Sequence, residues 1–136
     1  MRRQPGTAVA LVLTGLIVAL AACTAQQTAS RTVELATLND SGVTGSAVLT
    51  DLGDGTTRVE VDVDPAGHPD MPAHIHPGTC ENLVPQPQYP LQNVLDGQSE
   101  TVVAVTLDEL FAGELALNVH TSSEDYATYT ACADLN

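Results

Sequence analysis

The sequence predicts an all-β domain, a Greek-key β-barrel or sandwich of about seven short strands, and two observations predict it. Apolar residues recur with a period of two along most of the chain after residue 31, the pattern of strands with one face in a core. Clusters of Gly, Asn and Asp separate these runs at short intervals, which suits tight turns between strands.

The clearest strand places Val59, Val61 and Val63 opposite Arg58, Glu60, Asp62 and Asp64. Val103, Val105 and Leu107 alternate with Val102, Ala104 and Thr106, and Leu115, Leu117 and Val119 alternate with Glu114, Ala116, Asn118 and His120. Weaker strands are expected over Thr32 to Leu38, Val43 to Leu52, Ala73 to His76 and Tyr126 to Ala133. Asn39 to Gly42, Gly53 to Gly55, Pro65 to Gly67 and Asp96 to Gln98 supply the turns. The one helical signal, Asp108 to Phe111, amounts to about a single turn. Pro77 to Asn93 carries four prolines and little alternation, so it reads as a long loop of the kind that is usually functional or disordered.

Upstream of this domain the chain has the parts of an export signal. Arg2 and Arg3 give a positive start, Ala8 to Leu20 an apolar run, and Leu20-Ala21-Ala22-Cys23 a small-residue cleavage site ending in a thiol. The run is short for a transmembrane helix and no stop-transfer charges follow it. Leu-Ala-Ala-Cys resembles a bacterial lipobox, which implies diacylation of Cys23 before residues 1–22 are cleaved off. An ordinary signal peptide or an uncleaved anchor is the alternative. Residues 23–31 then form a polar tether, and residues 32–136 one domain with one core. The expected location is outside the cytoplasm, lipid-anchored to the cell membrane.

Charge and cysteine usage agree with export. All 17 acidic residues follow Cys23, against only Arg31 and Arg58 and no lysine, a balance near −15. Such a surface repels nucleic acid and anionic headgroups, which leaves the acyl chains as the membrane contact, and it favours cations. With Cys23 given to lipid, Cys80 and Cys132 remain as an even pair, expected to be oxidised outside the cytoplasm; two buried free thiols are the alternative.

The histidines carry the chemistry. His74 and His76 flank Ile75 on a short strand, so both imidazoles leave one face while Ile75 enters the core. His120 has the outward parity of its own strand, and if the two strands are neighbours three imidazoles converge on one patch. Neutral imidazole suits copper or zinc. Surface histidines without a ligand are the other reading of a bare His-x-His.

Three segments together resemble the Cu,Zn superoxide dismutase family: Pro72-Ala73-His74-Ile75-His76 with Cys80 close behind, Asn118-Val119-His120 at the end of its alternating strand, and Ala131-Cys132. The resemblance spans about Thr32 to Leu135, with its specific motifs in the second half. It implies that fold, one copper ion held by His74, His76 and His120, a disulfide between Cys80 and Cys132, and superoxide as substrate. The family's bridging histidine has no counterpart, since no histidine lies between His76 and His120. The remaining zinc ligands would fall near Pro85 to Pro90, where Pro, Gln and Tyr stand, so zinc is not expected. Tyr129 stands where the family has its guiding arginine. Three histidines suit Cu(I), whereas Cu(II) prefers a fourth ligand, for which water, His68 or, less readily, Met71 is a candidate. Two functions follow as expectations: a copper-only dismutase, or a copper-holding and delivery protein without turnover. A metal-free structural module is a third.

Overall fold

A computed structural model describes residues 28–136, from the end of the expected tether onward. The expected signal peptide and Cys23 lie outside the described residues. Strands in chain order are β1 (Ser30–Thr37), β2 (Thr44–Asp51), β3 (Thr57–Asp64), β4 (Asp70–Met71), β5 (Ala73–Thr79), β6 (Asn82–Leu83), β7 (Tyr89–Pro90), β8 (Val94–Leu95) and β9 (Gln98–Val103). The helix α1 (Leu107–Ala112) follows, then β10 (Leu115–Ser122) and β11 (Asp125–Asp134). Among the described residues no helix is long and apolar enough to cross a membrane.

The strands form two layers sharing β1. On one side the order is β4-β8-β9-β3-β2-β1, and on the other β11-β10-β5-β6, with β7 on β5. Ser30 to Leu35 pair with β2, whereas Ala36 and Thr37 pair with β11, so one strand turns the corner between layers. At the opposite corner β4 and β5 are continuous through Pro72, which has no N–H to give to a ladder. The ladder is therefore an open path from β4 to β6 and does not close into a barrel among the described residues.

The period-two pattern is realised as expected along β3, where Val59, Val61 and Val63 are buried and Asp62 and Asp64 exposed. The inner faces meet over Leu49, Val59, Met71, Ile75, Leu110, Leu117, Val119 and Leu135, all within 2 % of full burial. Leu115, Leu117 and Val119 bring β10 into this core, and their register against β5 sets Leu117 opposite Ile75.

Two segments differ from the sequence expectation. The strand expected through Val103 to Leu107 ends at Val103, because Thr106 caps α1 instead. Its hydroxyl accepts from Glu109 N–H while the Glu109 carboxylate accepts from Thr106 N–H, a reciprocal cap that outcompetes the alternation. Pro77 to Asn93 is a paired segment, not an open loop: β5 runs on to Thr79, β6 turns back on it, and β7 pairs Tyr89 with Ile75. The reversal rests on Gly78, whose φ of 104° lies in the left-handed region and whose hydrogen faces the Asn82 carbonyl too closely for any Cβ.

Candidate metal centre

Residues on the outer face of β5 and β10 line up across the ladder. His76 is opposite Ala116, and His74 is opposite Asn118, with His120 two residues further along β10. Diagonal neighbours on one face stand about 7–8 Å apart at Cβ, within reach of long side chains, so this register lets His120 approach His74, with His76 beside His74 on the same face. Their ligand atoms lie within 4.8 Å of one another. The three candidate ligands read from the sequence are thus brought together, and the two strands are neighbours as that reading required. His68 is not part of the group; it lies in a separate turn in which its N–H donates to the Pro65 carbonyl. Met71 is buried in the core under Thr130, whose hydroxyl points at its sulfur from 3.7 Å.

Although the face is outward, His76 and His120 are 1 % and 3 % exposed, because the segment after β5 and the β10–β11 hairpin cover them. A bulge aims His120. Val119 pairs with Ala131 but His120 pairs with Tyr129, so β11 carries an extra residue beside the site.

Two of the rings are locked by backbone carbonyls. His76 Nδ1 is 2.8 Å from the Val84 oxygen, and His120 Nδ1 is 2.8 Å from the Tyr126 oxygen. A carbonyl only accepts, so both Nδ1 atoms carry hydrogen and both Nε2 atoms present lone pairs. His76 Nε2 is buried and has no hydrogen-bond partner among the described residues. His74 Nδ1 faces His120 Nε2 at 2.9 Å. The donor set is therefore His74 Nδ1, His76 Nε2 and His120 Nε2, with orientation fixed by outer partners as ligating imidazoles require.

Electrostatics favour the neutral form of His74 and His120. Burial, then the neighbouring His120 and His76, push His74 down to about 4. Burial likewise lowers His120, against the opposing pull of the Tyr126 carbonyl and of Asp125. Neutral imidazole is the state that binds metal. The orphaned buried nitrogen and the neutral donors fit a copper ion.

A cleft of about 600 Å³ opens over the histidines, walled by Pro85, Pro87, Tyr126, Ala127 and Tyr129. The Tyr126 ring stacks on His74 at 5.9 Å and meets His120 edge-on at 5.2 Å, and Tyr129 stands 5.1 Å from His120. Among the described residues no Asp, Glu, Lys or Arg lines the cleft. The two described arginines lie on the other layer, Arg31 over the Phe111 ring at 4.6 Å and Arg58 against Glu60 at 3.3 Å.

Val84 and Tyr126 were not among the sequence candidates. Both act through backbone oxygens, which leave no trace in residue type. Asp125 accepts from Ala127 and Thr128 N–H, and the adjacent Tyr126 carbonyl orients His120.

The Cys80–Cys132 disulfide is present and ties the turn after β5 to β11. Cys80 N–H also donates to Asp134 at 2.7 Å. Closing 52 residues stabilises the fold by about 4 kcal/mol in the chain-entropy view.

No protein-family model and no curated protein sequence matches the chain. Solved structures do. A variant of superoxide dismutase 5 from Candida albicans superposes with a TM-score of 0.56 at 21% identity, covering 76% of this chain and 88% of that one. A second variant gives 0.56 at 19% identity over 80% and 89%. The copper(II) form gives 0.50 at 18% identity over 79% and 90%. Two layers of antiparallel strands, a disulfide between the turn after β5 and the last strand, and this superposition give one conclusion: the domain has the superoxide dismutase fold.

Proposed function

We propose that this protein is a membrane-tethered, extracytoplasmic copper domain that binds one ion through His74, His76 and His120 and dismutates superoxide. The observation that carries the reading is the convergence of three imidazole donors, two of them locked by backbone carbonyls. The superoxide dismutase 5 structures support copper as the metal, since one of them is a copper(II) form of the same fold. The lipobox-like Leu20-Ala21-Ala22-Cys23 and the disulfide support tethering outside the cytoplasm.

Copper, when bound, supplies the alternating one-electron oxidation and reduction that converts two superoxide ions and two protons into dioxygen and hydrogen peroxide. The protein's own part is to orient the donors through Val84 and Tyr126, to favour the neutral form of His74 and His120, and to leave one side open through the tyrosine-walled cleft. The three histidines offer donors for one ion, and Pro85 and Pro87, which border the same cleft, offer no side-chain donor for a second.

One observation favours a second reading, copper holding or delivery without turnover. Both described arginines are on the other layer, and the domain is strongly acidic, so no positive field draws an anion to the cleft. Metal titration of the purified protein followed by steady-state superoxide consumption separates the two. One copper per chain with consumption above that of buffer, abolished in His120→Ala, is the expected result. One copper without consumption leaves the holding function, and no stoichiometric copper overturns both.

A further inference from the structure

Asn118 is fully buried, and neither its carboxamide oxygen nor its nitrogen has a hydrogen-bond partner among the described residues. A buried amide left unpaired costs roughly 1–3 kcal/mol per group, so an aliphatic side chain of the same size would serve a purely structural position better. Its place in the ladder is specific. It stands directly opposite His74, two residues before His120 on the same face, and diagonal to His76, which pairs with Ala116. Direct neighbours on one face are about 5 Å apart at Cβ and diagonal ones about 7–8 Å, which sets this one residue among all three histidines. On its other side it is opposite Cys132, so the disulfide-bearing strand closes it off from solvent. His74 is part-exposed on the cleft side, whereas His76, His120 and Asn118 are buried.

We propose that the Asn118 carboxamide oxygen is a further donor to the metal ion held by His74, His76 and His120, reaching it from the buried side. The inference rests on the copper site proposed above and supplies what three imidazoles lack. Cu(II) prefers a fourth ligand, whereas trigonal Cu(I) is satisfied with three, and a weak axial amide or backbone oxygen is an established way to tune such a centre. A neutral oxygen therefore favours Cu(II) over Cu(I) and sets the reduction potential of the ion. His68 lies outside the ligand group.

The test compares the full chain with Asn118→Leu and Asn118→Asp. Thermal unfolding is measured without metal, Cu(II) and Cu(I) affinities by chelator competition, and the Cu(II) site by electron paramagnetic resonance. In Asn118→Leu the metal-free protein is expected to be as stable as the wild type or more so. Its Cu(II) dissociation constant rises at least about tenfold, the size of a lost supporting contact at a metal site. Its Cu(I) affinity holds and its parallel copper hyperfine coupling changes. Asn118→Asp keeps an oxygen donor, so it retains Cu(II) affinity with a shifted spectrum. If the wild type binds one copper and both variants keep its spectrum and Cu(II) affinity, the Asn118 assignment is overturned while the three-histidine site stands. A wild type that binds no stoichiometric copper overturns both. Should Asn118→Leu not fold, the unchanged or shifted spectrum of Asn118→Asp decides the matter.

Discussion

His74 Nδ1 lies 2.9 Å from His120 Nε2, and the His120 nitrogen is a lone pair because its other ring nitrogen donates to the Tyr126 carbonyl. Without an ion, His74 must supply the proton that bridges the two rings. A cation takes the place of that proton, and two strands already in register then share one ligand set. His74→Ala and His120→Ala should each remove stoichiometric copper. Since loss of an outer partner alone costs 10–100-fold, loss of a donor is expected to cost more than about a hundredfold in affinity. Competition against a calibrated chelator checks this.

The same pair sets a pH response. Folded His74 takes up a proton only near pH 4, whereas the unfolded chain does so near 6.5. Between those values the unfolded state binds more protons, so stability rises with pH. The contribution is fully present above 6.5 and is lost as pH falls toward 4. His120, lowered mainly by burial, acts in the same direction. The metal-free protein should therefore show a falling melting temperature from pH 6.5 to 4, and His74→Ala should flatten that slope. Copper uptake should persist below pH 6, where ordinary histidines have already protonated.

Much of this site was legible in residue order, and the reason is geometric. The period of two places His74 and His76 on one face with Ile75 on the other, and the same parity places His120 outward. What parity does not contain is which strands are neighbours, so convergence was a condition until the β5–β10 register met it. Backbone acceptors such as Val84 and Tyr126 depend on tertiary path alone. Thr106 shows a local competition: alternation extended the strand to Leu107, and a reciprocal side-chain cap ended it. The proline-rich stretch read as open because its paired pieces are short and carry prolines: Pro90 lies on the two-residue edge strand β7, where a missing N–H is tolerated, and Pro77 falls inside β5 opposite Leu115.

Ile75 is the pin behind the histidines. It is fully buried and sits opposite Leu117 in the register that sets His74 against Asn118. Ile75→Ala should cost about 2–5 kcal/mol through the lost burial and the cavity left behind. Ile75→Val should cost about 1 kcal/mol. Denaturant unfolding measures both. Because the side chain points away from the metal, copper affinity in Ile75→Val should stay at the wild-type value while stability falls.

The disulfide couples the fold to the site through one short path. Cys80 follows His76 by four residues, and Val84, whose carbonyl orients His76, follows Cys80 by four more. Opening the bridge to Cys132 removes a crosslink worth about 4 kcal/mol in the chain-entropy view. In a domain of this size that corresponds to a drop in melting temperature on the order of 15 °C. It also frees the turn that holds the Val84 carbonyl against His76. The Cys80→Ser, Cys132→Ser double variant, or the reduced wild type, should therefore melt earlier and bind copper about tenfold or more weakly at temperatures where it is still folded. A variant that melts earlier yet keeps full affinity would show that Val84 is positioned by the β5–β6 pairing alone.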